Sequence, residues 1–147
     1  LGPNKAIINQ ANEAVPTIMG FDPGTYEFAL TVTDNEGAVD QDILTINVNH
    51  PPIVEAGDNQ TLILPNNSTT VKGTTEDPDG EIVKVVWYQT SGPNNAQISG
   101  KYQNTALIKN LVAGTYRFVF KSMDNQGAQK ADHLFITVKS NEESENN

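Results

Sequence analysis

Apolar and polar residues alternate strictly along residues 25–33. Tyr26, Phe28, Leu30 and Val32 point one way, and Glu27, Ala29, Thr31 and Thr33 point the other. A period of two predicts a half-buried strand. Asp34-Asn35-Glu36-Gly37 then predicts a tight hairpin, with Gly37 placed for the left-handed backbone that a type I turn plus bulge requires. A second strand follows over 39–48, with Leu44, Ile46 and Val48 inward.

The same arrangement returns ninety positions later. Gly114-Thr115-Tyr116, an alternating run and Asp124-Asn125-Gln126-Gly127 repeat Gly24-Thr25-Tyr26 and Asp34-Asn35-Glu36-Gly37. The alignment runs without a gap from Leu1 against Ser91 to Val48 against Val138, with 18 of 48 positions identical. Self-similarity of this kind takes precedence over local signals and predicts a tandem array. Residues 1–48 read as the back half of a first repeat, with no counterpart of 53–89 ahead of it. Either the sequence is a fragment with an arbitrary boundary, or the half is completed by another chain through strand donation. Residues 49–52, Asn49-His50-Pro51-Pro52, form a short linker that two prolines stiffen, so the repeats are expected end to end. Residues 53–139 form a complete repeat, and the polar, acidic tail 140–147 is expected to be disordered.

Within the complete repeat, strands are predicted over 53–64 (broken near Gly57), 70–72, 82–89, 96–98, 105–111, 115–123 and 129–138. Residues 74–81 read as a polar loop. Val83, Val85 and Trp87 share one face of their strand. About seven short strands in roughly ninety residues, without helical periodicity, predict an all-β, immunoglobulin-like β-sandwich. Trp87 sits where such folds place a core tryptophan, and Leu111-x-x-Gly114-x-Tyr116 has the pattern of a tyrosine corner.

Several segments taken in order resemble the PKD (polycystic kidney disease) repeat. They are Ala56-Gly57-x-x-Gln60-Thr61-Leu62, Glu76-Asp77-Pro78-Asp79-Gly80-x-Ile82, Trp87-x-Gln89-x-Ser91-Gly92-Pro93, Gly114-Thr115-Tyr116-x-Phe118 and Asp124-Asn125-x-Gly127-Ala128. Lys121-Ser122-Met123 departs from the usual Thr-Val-Thr and is expected to loosen the core at Ser122. The resemblance implies a secreted or cell-surface module of a multidomain protein, without catalytic activity, serving as spacer, adhesion element or mechanical link. It also implies the company of polysaccharide- or protein-degrading domains in bacterial members, and an aspartate-rich calcium loop in some of them.

Charge and composition narrow the chemistry further. A net charge of −9 argues against nucleic-acid binding. The absence of cysteine excludes disulfides and thiol catalysis. No run reaches the ~18 apolar residues of a membrane-spanning helix, and the chain, lacking an initiator Met and a leader, reads as an excised piece of something longer. His50 and His133 have no nucleophile in a recognisable motif, so the chain is not expected to be an enzyme.

Two candidate sites remain. Asp77, Asp79 and Asp124 lie on loops that such a sandwich brings to one pole, beside the incoming linker, and are candidate Ca²⁺ ligands. Asp-Pro-Asp-Gly is equally a good type I turn that needs no metal, and no cofactor is required. The outward face of three strands displays Tyr88, Arg117, Val119, His133 and Phe135, a candidate face for protein or glycan ligands; a solvated strand face is the competing reading. Three glycosylation sequons begin at Asn59, Asn66 and Asn67, a number that so Asn-rich a chain reaches by chance. The leading function is therefore a non-catalytic extracellular spacer or interaction module. The alternative is a carbohydrate-binding accessory of a secreted hydrolase.

Overall fold

The computed structural model describes residues 1–142. The expected disorder of the tail falls largely on residues outside those described. Among the described residues the elements are strands, in two compact units that meet between His50 and Pro51.

Unit 1 contains β1 (Ile7–Asn9), β2 (Thr17–Met19), β3 (Gly24–Thr33) and β4 (Val39–Val48), paired as two antiparallel hairpins. Tyr26 is buried, with Phe21 edge-on to its ring at 4.9 Å. Leu30, Val32 and Leu44, expected to face a core, are exposed. No second sheet lies over them within the unit: β3 and β4 pair only with each other.

Among the described residues, unit 2 contains nine strands, where about seven are expected. They are β5 (Ile53–Glu55), β6 (Gln60–Ile63), β7 (Thr69–Lys72), β8 (Thr74–Glu76), β9 (Ile82–Ser91), β10 (Gln97–Ser99), β11 (Thr105–Lys109), β12 (Gly114–Asp124) and β13 (Gln129–Lys139). The expected first strand is two, divided at Gly57. Its halves join different sheets, β5 pairing with β8 and β6 running parallel to β13. Residues 74–76, expected in a loop, form β8 because β5 supplies their partners; the sequence there is wholly polar and carries no alternation.

The sandwich sets a four-stranded sheet, β6-β13-β12-β9, against a three-stranded one, β10-β11-β7. Trp87, Phe118, Phe120, Leu134 and Ile136 from the first meet Val71, Ala106 and Ile108 from the second in one buried cluster. The Trp87 ring stacks on Phe120 at 4.8 Å, and its indole N–H donates to Asn104 O at 3.0 Å. Buried Trp is stable when its polar edge finds such a partner. Val83, expected inward with Trp87, is exposed near the start of β9. Ser122 does not loosen the core: it is buried, and its hydroxyl accepts from that of Thr75 at 2.9 Å.

Candidate functional site

The tyrosine corner is built twice with the same parts. In unit 2, Val112 N–H donates to Tyr116 Oη at 2.8 Å, and the hydroxyl donates to Asn94 Oδ1 at 2.5 Å. In unit 1, Asp22 N–H donates to Tyr26 Oη at 2.8 Å, and Asn4 Oδ1 receives the hydroxyl. Each ring lies on the glycine of the Gly-Pro-Asn motif, where a Cβ on Gly2 would stand 2.3 Å from Tyr26 and one on Gly92 would stand 2.4 Å from Tyr116. The asparagines were not foreseen. Their signal was present, since Gly-Pro-Asn precedes Gly-Thr-Tyr by the same interval in both copies.

At one pole of unit 2 the turn after β12 meets the loop before β9. Asp124 Oδ1 accepts from Gln126 N–H and Ala128 N–H at 2.9 and 2.8 Å, and Gly127 takes φ +89°. The β3–β4 turn uses the same bonds from Asp34 with Gly37 at the same φ. Across the gap, Asn125 N–H donates to Glu81 O at 2.9 Å. Asp77 Oδ1 receives Asp79 N–H at 3.3 Å, whereas Asp77 Oδ2 is shielded without a hydrogen bond. Desolvation of that oxygen, aided by the negative charges of Asp79 and Asp124, raises the Asp77 pKa above its ordinary 3.8.

The three aspartates share an electrostatic neighbourhood. Among the described residues no group of three or more His, Cys, Asp or Glu could hold a metal ion. The Asp124 carboxylate folds back over its own turn, and Asp77 does likewise toward Asp79. Ca²⁺ wants six to eight oxygens facing one point.

The outer face of the four-stranded sheet is regular. Ser91, Arg117 and Phe135 form one cross-strand row, and Tyr88, Val119 and His133 form the next. Tyr88, His133 and Phe135 are exposed. The His133 and Phe135 rings stand edge to face at 5.4 Å. Arg117 is half-buried and donates from Nη1 to Thr90 Oγ1 at 3.1 Å, beside a bulge where β9 gains a residue over β12. Val119 is the exception to the expected face. It is 5% exposed, because its two cross-strand neighbours are Tyr88 and His133. Beyond the sheet edge, β9 borders a shallow groove of about 560 Å³ lined by Val83, Lys84, Val85 and Tyr102 among others. Lys84, near the start of this edge strand, is the kind of charge that discourages a further strand from pairing there.

The family described as "K319L-like, PKD domain" matches residues 1–48 and 56–138. The chain belongs to that family. A dyslexia-associated protein KIAA0319 homolog of Rattus norvegicus is 35% identical over 144 residues, which is 93% of this chain and 13% of that protein. The Homo sapiens dyslexia-associated protein KIAA0319 is 35% identical over 145 residues, 94% of this chain and 14% of the other. The chain thus spans a small part of the length of these relatives. The solution structure of the PKD domain from KIAA 1837 protein superposes with a TM-score of 0.54 at 31% identity, covering 59% of this chain and 85% of that one. The PKD domain of human KIAA0319 gives a TM-score of 0.52 at 23% identity, covering 61% and 82%, and shows the same fold.

Proposed function

We propose that the chain is a non-catalytic extracellular module of a larger secreted or cell-surface protein, spacing its neighbours and making protein contacts through the outer face of the four-stranded sheet. The observation that carries this reading is the composition of that face. Exposed Tyr88, His133 and Phe135 lie on adjoining strands with Arg117 and Lys121 between them, on a chain of net charge −9. Aromatic and Arg side chains are over-represented where interfaces bind most strongly, and a cationic patch on an acidic chain favours an acidic partner. A receptor-related relative fits the setting: human low-density lipoprotein receptor-related protein 11 is 27% identical over 88 residues, 60% of this chain and 18% of that protein.

The test is binding of the immobilised chain to the other domains of its parent protein and to acidic ectodomains, by surface plasmon resonance. Tyr88→Ser combined with Phe135→Ser should abolish binding while leaving the circular dichroism spectrum and melting temperature in place. Retained binding refutes the face. Capture of a glycan on an array, lost in the same double variant, would reassign the face to carbohydrate.

A further inference from the structure

The chain carries 18 Asp and Glu against 9 Lys and Arg, yet the outer face of the four-stranded sheet reverses that balance. By register and alternation, the outward positions of β6, β9, β12 and β13 hold Lys84, Arg117, Lys121 and Lys139, and none of them holds Asp or Glu. The acidic residues of these strands turn elsewhere. Asp124 caps its own turn, and Asp132 accepts Ala56 N–H at 2.9 Å on the opposite face. The repeat itself does not require the cations. Where unit 2 has Arg117, Lys121 and Lys139, the first copy has Glu27, Thr31 and Asn49.

The cations lie on a diagonal. Lys84 on β9 stands opposite Met123, Lys121 and Arg117 follow along β12, and Lys139 on β13 lies one place past the Gly114–Val138 pair. At about 3.4 Å per residue the track is roughly 30 Å long. Lys84 and Lys121 together line a hollow of about 110 Å³ with Val86, Met123 and Gln129. Among the described residues neither lysine has a carboxylate partner. Two like charges at one hollow repel, and an anion between them removes that cost. Acidic groups on other faces are screened beyond about 8 Å at physiological salt, so the track presents itself as basic on an acidic chain.

The layout of the face selects the partner. The exposed rings of Tyr88, His133 and Phe135 occupy its middle rows, whereas Lys84 and Lys139 lie beyond them at opposite ends. A compact contact centred on the rings leaves both ends unused. A linear polyanion laid along the diagonal uses all four cations. Lysine suits sulfate as a point charge without a fixed fork, and Arg117, bonded through Nη1 to Thr90, keeps further N–H donors. We infer that this track binds a sulfated glycosaminoglycan, with one sulfate seated in the hollow between Lys84 and Lys121. The inference rests on the extracellular setting proposed above, where such chains are the common linear polyanions, and not on the aromatic contact.

The experiment passes the full chain over immobilised heparin in surface plasmon resonance at rising salt. Log Kd should rise linearly with log salt, as counterion release requires. Lys84→Gln combined with Lys121→Gln should weaken binding about tenfold or more and lower the salt slope by about two, one for each lost contact. Lys5→Gln combined with Lys72→Gln removes the same charge from elsewhere and should leave affinity and slope in place. Tyr88→Ser combined with Phe135→Ser should also leave heparin binding in place, which separates this track from the aromatic protein contact. Desulfated heparin should not bind. No binding to heparin at low salt overturns the inference, as does equal weakening by the two lysine pairs or equal capture of the desulfated chain. An acidic ectodomain that loses binding to the Lys84–Lys121 variant while heparin keeps it assigns the cations to a protein partner and overturns it too. The setting is tested apart, by biotin labelling of the parent protein on intact cells. An unlabelled parent overturns the setting, and with it this partner, even where the purified chain binds heparin.

Discussion

Tyr116 and Asn94 stand 22 residues apart in the chain and 2.5 Å apart in space, and Tyr26 and Asn4 repeat the relationship in unit 1. The bond joins the strand that begins with Gly-Thr-Tyr to the segment that begins with Gly-Pro-Asn, so each corner is a clamp between two parts of the chain rather than a local turn.

Replacing Tyr116 by Phe keeps the ring on Gly92 and removes the hydroxyl. Val112 N–H and Asn94 Oδ1 are then left without their partner in a part-buried site. The expected loss is about 1–3 kcal/mol in urea unfolding of unit 2. Asn94→Ala should cost less, about 1 kcal/mol, because the hydroxyl retains Val112 N–H. Equal effects of the two would place the energy in the Tyr116–Asn94 bond and none of it in the Val112 contact.

Trp87→Ala removes the largest core side chain and its bond to Asn104. A loss of about 3–5 kcal/mol is expected, a large part of the ~5–15 kcal/mol that holds a domain of this size. Trp87→Phe should cost clearly less. Chemical denaturation with the signal from far-ultraviolet circular dichroism measures both, and a loss below about 1 kcal/mol for the alanine variant would contradict the packing described.

Asp77 gives a pH prediction. Its folded pKa is raised, foremost by desolvation and then by its acidic neighbours. The folded state therefore holds the proton more tightly than the unfolded chain does. That contribution to stability is present below the ordinary value of 3.8 and is lost as the pH rises through the folded value. Asp77→Asn keeps the acceptor for Asp79 N–H and discards the charge, so it should melt higher than the original at pH 7, with the difference closing as the pH falls below the ordinary value. Melting that is lower at pH 7 would show that the charge has a stabilising partner. Added Ca²⁺ and chelator are expected to leave the melting temperature of the original unchanged, given how the neighbouring carboxylates are occupied.

Ser122→Ala should destabilise by about 1 kcal/mol through the hydroxyl left on Thr75. Adding Thr75→Val should recover most of that loss, since replacing both partners by apolar groups is nearly neutral. A double-mutant cycle measures the coupling. Additive losses would mean that the two hydroxyls do not depend on each other.

Much of this fold was legible because its determinants are local. Tyr116, Phe118 and Phe120 alternate with Thr115 and Arg117, and all three buried rings lie where the period of two places them. Alternation gives direction but not depth. Val119 points outward as expected and is buried all the same, since cover comes from Tyr88 and His133 on strands that are distant in sequence. β8 was illegible for the opposite reason: Thr74-Thr75-Glu76 has no pattern, and its conformation is imposed by β5. The charges of Asp79 and Asp124 act on Asp77, yet spacing could not reveal that the Asp77 and Asp124 carboxylates turn toward their own backbone.

The Ser122–Thr75 pair has a consequence for how the chain assembles. Two near-copies of one hairpin can compete for a single front sheet while both are unfolded, a recognised route to misassembly in repeat proteins. The β3–β4 hairpin would present Val32 where β12 presents Ser122, stranding the Thr75 hydroxyl beneath a methyl group. That mismatch would disfavour the wrong hairpin at the moment of docking, so the Ser122–Thr75 bond matches this front sheet to β12 rather than to β3.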